Sequence, residues 1–261
     1  MKNIKGLFIL AGVIASAVAS AQAFVLTSGT SVADFNFGNP GIGPMLGWTV
    51  AGSPDNLYEQ GYFISINGSP VRSLEDPFFV RTVTQTAADT VRARYFDGVN
   101  GVEVLVNYYL NGSIGNSGDM AEVVTINNVG NSFATFSLFQ YNDFDLGGIV
   151  GGDTAIATNS STYHQFKPGF DVTVGVTRIP QVQAAGAFPA LRAAILTGNI
   201  GGFGANFGPG DATFASQYID RVEQGNGWQM STNKILTVPE PATMAALGLG
   251  IATLLRRRSK K

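Results

Sequence analysis

Cysteine is absent, and histidine occurs once, as His164. The first absence excludes a disulfide scaffold, a zinc finger, an iron–sulfur centre and a thiol nucleophile. The second excludes a multi-histidine metal centre within one chain. Charge is scarce too: Asp, Glu, Lys and Arg make up 13% of the 261 residues, about half the usual share, which excludes a coiled coil. Seven of the sixteen basic residues lie at the two ends (Lys2, Lys5, Arg256, Arg257, Arg258, Lys260 and Lys261), so between Phe24 and Val238 nine basic residues face seventeen acidic ones. A body without a basic stripe has no electrostatic footprint for nucleic acid, and none is expected as a partner.

What the chain does have is apolar residues, at 45%, and 33 glycines. The first suffices for a sizeable core, and the second favours turns and short strands over long helices. Val102, Val104, Val106, Tyr108 and Leu110 alternate with polar neighbours, as do Val172, Val174 and Val176 and the segment around Val91, Ala93 and Tyr95. This period of two is that of strands with one face in a core. Similar runs lie at 45–50, 61–66, 79–84, 122–127, 133–141, 154–158 and 228–236. Asn67-Gly68, Asp97-Gly98, Asn100-Gly101, Asn111-Gly112 and Asn226-Gly227 supply hairpin turns between such runs.

The pattern predicts an all-β fold, a single antiparallel β-sandwich of about ten strands. Two stretches depart from it. Residues 189–196 read as a short helix with Pro189 in its first turn and an end near Gly198. Residues 211–223 fit helix and strand spacing equally, and the glycine clusters at 37–47 and 198–210 read as surface loops.

The two ends read differently from the body. Lys2 and Lys5, an apolar run over 7–18 and Ala21-Gln22-Ala23 compose a secretory signal, a helix over 1–23 with cleavage before Phe24 specified by the small Ala21 and Ala23. At the other end, Val238-Pro239-Glu240-Pro241 precedes fourteen mostly apolar residues and then Arg256-Arg257-Arg258. The prolines keep the box extended and open to an enzyme. The apolar run is a short transmembrane helix of about 21 Å, held by the arginines on the cytoplasmic side of a membrane whose core is ~30 Å thick.

This order of box, short apolar stretch and basic tail resembles the PEP-CTERM sorting signal of Gram-negative bacteria over residues 238–261. The resemblance implies a substrate of the membrane-embedded exosortase. It implies a precursor anchored in the inner membrane only through its C-terminal segment, then released or transferred to the cell surface or beyond, commonly in species that make exopolysaccharide. The division that follows is signal peptide 1–23, β-sandwich 24–237 and sorting segment 238–261, with the Sec export machinery as a further partner. β-rich bodies are common among such proteins, but the resemblance brings no catalytic motif.

Within the body the densest chemistry is Asp143 and Asp145, followed by Asp153. On an extended segment Asp143 and Asp145 face one way about 7 Å apart, a set of hard oxygen ligands suited to calcium, or a pair of glycosidase carboxylates; an acidic, solvated turn has the same sequence. There is no EF-hand spacing, no nucleophile elbow and no phosphate loop, and His164 has no acid or serine at a recognised spacing. No catalytic residue is assigned, and no cofactor beyond calcium. Eight tyrosines and two tryptophans, among them Tyr58, Trp48 and Trp228, fit either a sandwich core or exposed rings that stack on sugars. Asn67, Asn111 and Asn159 each open a glycosylation acceptor triplet that doubles as a turn. The reading is therefore an exported surface or matrix protein with a structural or glycan-binding role in exopolysaccharide; the alternative is a secreted polysaccharide hydrolase or lyase.

Overall fold

The computed structural model describes residues 21–240. The signal segment before residue 21 and the apolar run and arginines after Glu240 lie outside the described residues. No helix among the described residues is long and apolar enough to cross a membrane.

Seventeen strands and one short helix occupy this span. The first seven strands are β1 (Gln22–Ser28), β2 (Ser31–Phe37), β3 (Met45–Val50), β4 (Glu59–Ile66), β5 (Arg72–Ser73), β6 (Val80–Ala87) and β7 (Thr90–Asp97). Then come β8 (Val102–Ile114), β9 (Ser117–Asn128), β10 (Ala134–Asp143), β11 (Asp153–Asn159), β12 (Thr162–Lys167) and β13 (Phe170–Val176). The last part holds β14 (Val182–Ala187), α1 (Ala190–Leu196), β15 (Asn206–Gly210), β16 (Ala212–Val222) and β17 (Gly227–Thr237). One sheet runs β1-β2-β3-β4-β10-β16-β14, with β5 added beside β4; the other runs β15-β11-β12-β13-β17-β9-β8-β7-β6. All pairings are antiparallel, as tight turns between short strands require.

The alternation seen in the sequence becomes burial. Along β9 every second residue is buried, and Met120, Val124 and Ile126 meet Trp48, Tyr62, Tyr108, Phe214 and Trp228 in the core between the sheets. A second cluster lies outside the first sheet, where Leu191 and Ile195, one helical turn apart on α1, cover Phe63, Phe139, Tyr141 and Ala215. β4, β10 and β16 are consequently packed on both faces. This settles the ambiguous stretch at 211–223: Phe214, Tyr218 and Val222 face the main core while Ala215 faces the helix, so an apparent helical spacing is a strand with two buried sides.

The estimate of about ten strands is too low. β14 is rich in alanine, a composition that does not advertise a strand, and β2 adds a strand that buries Ser31, Ala33, Phe35 and Phe37 on one face. β1 overlaps the expected signal cleavage site: Gln22 and Ala23 already pair with Phe37 and Asn36. The glycine-rich loop reading of 198–210 gives way at its end to β15. The helix starts one residue later than expected and leads through Thr197 to Gly198, whose positive φ of 78° is a conformation that glycine adopts freely.

In the main core sits a polar network that joins the sheets. Lys234 on β17 donates to Glu122 on β9, both wholly buried. Tyr62 donates to the other carboxylate oxygen, and Gln60 Nε2 reaches it at 3.3 Å. Gln140 Nε2 donates to Thr232 Oγ1 at 3.0 Å and to Tyr62 Oη at 3.2 Å. Burial pulls the Lys234 ammonium down from its usual value, and Glu122 opposes that pull.

Candidate functional site

At one end of the first sheet three carboxylates converge. Asp143 closes β10, opposite Glu59 on β4 and Thr213 on β16. Asp145 immediately precedes a short 3₁₀ turn, Leu146–Gly148. Asp211 lies between β15 and β16, and its carbonyl accepts from Phe188 N–H at 3.1 Å. One oxygen from each carboxylate lies within 4.8 Å of the others.

Asp143 is 2% exposed. Its Oδ2 accepts from the Tyr141 hydroxyl at 3.3 Å, and its Oδ1 is buried with no hydrogen-bond partner. Burial first, then the charges of Asp211 and Asp145, push its carboxyl up to about 8. Asp145 and Asp211 are raised as well, chiefly by burial.

These three residues share a small cleft with Tyr58, Val150 and Phe188. Tyr58 is 52% exposed. Its ring meets Phe188 edge to face, with centroids 5.5 Å apart. Past these rings the groove continues over Ile42 and Leu46 to a buried Glu59 and its partner Arg192, 3.1 Å apart. The site thus has an acidic end, an aromatic rim and an ion-paired end, with room for a small polar ligand.

The residues singled out in the sequence part company here. Asp143 and Asp145 come together, but their third partner is Asp211. Asp153 is buried apart from them: its Oδ1 meets Lys167 Nζ at 3.4 Å, its Oδ2 accepts from Gln165 at 3.2 Å, and burial pushes its carboxyl to about 6. His164 lies on the opposite face of β12 from buried Gln165, pairs with Asp171 and stacks on Phe166. Most tyrosines and both tryptophans fill the core, and Tyr58 is the clearly exposed ring among them. Asp211 was visible in the sequence as the residue leading into β16, but its site becomes apparent only from the β10–β16 register, which sets Asp143 opposite Thr213 two residues on.

The sorting box is described as far as Glu240. Val238 is buried beyond the end of β17; its N–H donates to the Asn116 carbonyl at 2.9 Å, and the Asn116 side chain donates back to its carbonyl. Pro239 lies against Gly169. Pro241 and the arginines lie outside the described residues.

Among solved structures the chain is similar in fold to a bacterial glucoamylase complexed with acarbose, at 8% identity and a TM-score of 0.62, over 87% of this chain but 34% of the glucoamylase. It is also similar to a GalM/aldose epimerase homologue from C. elegans, at 8% identity and 0.55, over 85% of this chain and all of that one. A polysaccharide lyase matches at 10% identity and 0.50, over 81% of this chain and 33% of the lyase. Identities this low speak for the fold alone. No curated protein matches the chain in sequence. The C-terminal segment does match: residues 237–259 carry the PEP-CTERM protein-sorting motif, the mark of an exported protein targeted to exosortase.

Proposed function

We propose that the body of this protein binds glycan outside the cell, within exopolysaccharide, after removal of residues 1–23 and exosortase processing at Val238–Pro241. The observation that carries the reading is the exposed Tyr58 ring on the rim of a cleft whose floor is Asp143, Asp145 and Asp211. An aromatic face covers the C–H surface of a sugar while carboxylates accept from its hydroxyls. The fold shared with carbohydrate-active proteins is compatible with that use.

Affinity electrophoresis of the exported protein through gels containing purified exopolysaccharide tests it. Retardation should be lost in Tyr58→Ala with the fold intact by circular dichroism. Equal mobility of wild type and variant would overturn the reading.

A second reading, a hydrolase or lyase, has one observation in its favour. A carboxyl held protonated near neutral pH beside two more acidic ones is an acid–base arrangement. Release of reducing ends or unsaturated uronates from the same polysaccharide, abolished in Asp143→Asn, would establish it.

A further inference from the structure

We infer that Asp143, Asp145 and Asp211 form a binding site for one calcium ion, at the floor of the cleft. Three carboxylates with one oxygen each, all within 4.8 Å of one another, are a hard, oxygen-only donor set, which suits calcium and offers nothing to softer metals. An acidic cluster alone would be no argument, since carboxylates in water need no cation. The decisive feature is Asp143 Oδ1. It is buried, no hydrogen bond reaches it, and its carboxylate belongs to the side chain that lines the cleft together with Asp145 and Asp211. Nearly every buried polar atom in a native protein has a partner, and a carboxylate oxygen without one costs a kind of desolvation that a cation removes.

The protein's own cations do not fill the gap. Lys167 acts on Asp145 from a distance, but its ammonium is engaged by Asp153 Oδ1 at 3.4 Å and the Ile149 carbonyl at 3.1 Å. Arg192, on the far side, is committed to Glu59. The remaining charged groups that bear on the cluster, Glu59 and Asp55, are acidic and add to the negative field.

The backbone supports the site as well. Asp143 is fixed at the end of a central strand, whereas Asp145 and Asp211 stand on a 3₁₀ turn and a strand junction. One rigid and two adaptable ligands match the irregular coordination that calcium tolerates and magnesium does not. Three protein oxygens leave three to five of calcium's six to eight positions for water or for a ligand entering the cleft past Tyr58. The inference goes beyond the glycan reading and stands without it.

Calorimetric titration of calcium chloride into the chelator-treated full-length protein in detergent, with no sugar present, tests it. One equivalent should bind in the roughly 10⁻⁴–10⁻³ M range of extracellular calcium sites, and the thermal midpoint should rise in calcium over chelator. Asp211→Asn and Asp145→Asn, at half-buried positions that tolerate an isostere, should each weaken binding by about tenfold or more. Asp153→Asn should bind as wild type does. No heat and equal midpoints at about 10 mM calcium overturn the inference, as does binding that survives Asp211→Asn or vanishes with Asp153→Asn.

Discussion

Glu122 and Asp143 are both carboxylates withdrawn from water in the same sandwich, and their surroundings differ in kind. Around Glu122 the chain has gathered an ammonium, a phenol and two amides, so that both carboxylate oxygens are occupied. Around Asp143 it has gathered two more carboxylates and left an oxygen empty-handed. A charge satisfied from within closes the structure on itself. A carboxyl left unsatisfied at the floor of a cleft is instead available to whatever enters. Asp153 stands between the two: one lysine and one amide reach it, and its carboxyl is raised to about 6 where that of Asp143 reaches about 8.

The largest effect should come from breaking the closed network. Glu122→Ala leaves Lys234 buried without a counter-charge, at a cost of about 3–5 kcal/mol, and the thermal midpoint should fall by on the order of 10 °C in a calorimetric melt. The double change Glu122→Leu with Lys234→Met should recover part of it, because no charge is left buried without a partner, while the Tyr62 hydroxyl and the Gln60 amide lose their acceptor. If the single and double variants melt alike, the network is not what holds this region.

Asp153 sharpens the comparison through pH. Its folded value, about 6, lies above that of an unfolded aspartate, ~3.9. Between these limits the folded state keeps a proton that the unfolded state has lost. Stability therefore falls as pH rises from about 4 to 6, then levels, by at most about 3 kcal/mol. Asp153→Asn should show a shallower fall in melts across this range, the part due to Asp143 remaining, and Lys167→Met should extend the Asp153 part to higher pH.

A smaller effect, of opposite sign to the first, is expected in the cleft. In chelator at neutral pH, Asp143→Asn replaces a carboxyl that folding must hold protonated and gives its neighbours a donor, so the midpoint should rise by the equivalent of about 1–2 kcal/mol. A fall would mean that Asp143 is as well satisfied as Glu122, and the contrast between the two regions would collapse. Smallest for the fold is the sorting box: alanines at Pro239, Glu240 and Pro241 should change stability by no more than about 0.5 kcal/mol. Fractionation of the same variant should nonetheless find it held in the inner membrane.

What the sequence made legible was local. The sorting motif is contiguous, and strands such as β8 and β13 carry β-branched residues at a period of two. Strands built of alanine, serine or glycine, such as β14 and β15, were hidden because tertiary pairing rather than propensity makes them. In the cleft, Asp143 and Asp145 were legible as neighbours, and Asp153 was drawn in by the same closeness along the chain. Asp211 arrives through strand pairing, and Asp153 turns away because Lys167 and Gln165 on β12 claim it. The partners of Glu122 are equally silent, since Lys234 joins it only through the register of β17 on β9.

That last strand has a consequence in time as well as space. β17 is the last strand among the described residues but interior in its sheet, hydrogen-bonded to β13 on one side and β9 on the other. In a polypeptide that emerges N-terminus first the two halves of the nine-stranded sheet therefore stay unjoined, and they can be sutured only when residues 227–237 emerge. The sorting box follows one residue later, with Val238 already tied to Asn116. The address label is thus stitched to the closing seam of the fold, and a chain truncated before the seam loses both at once.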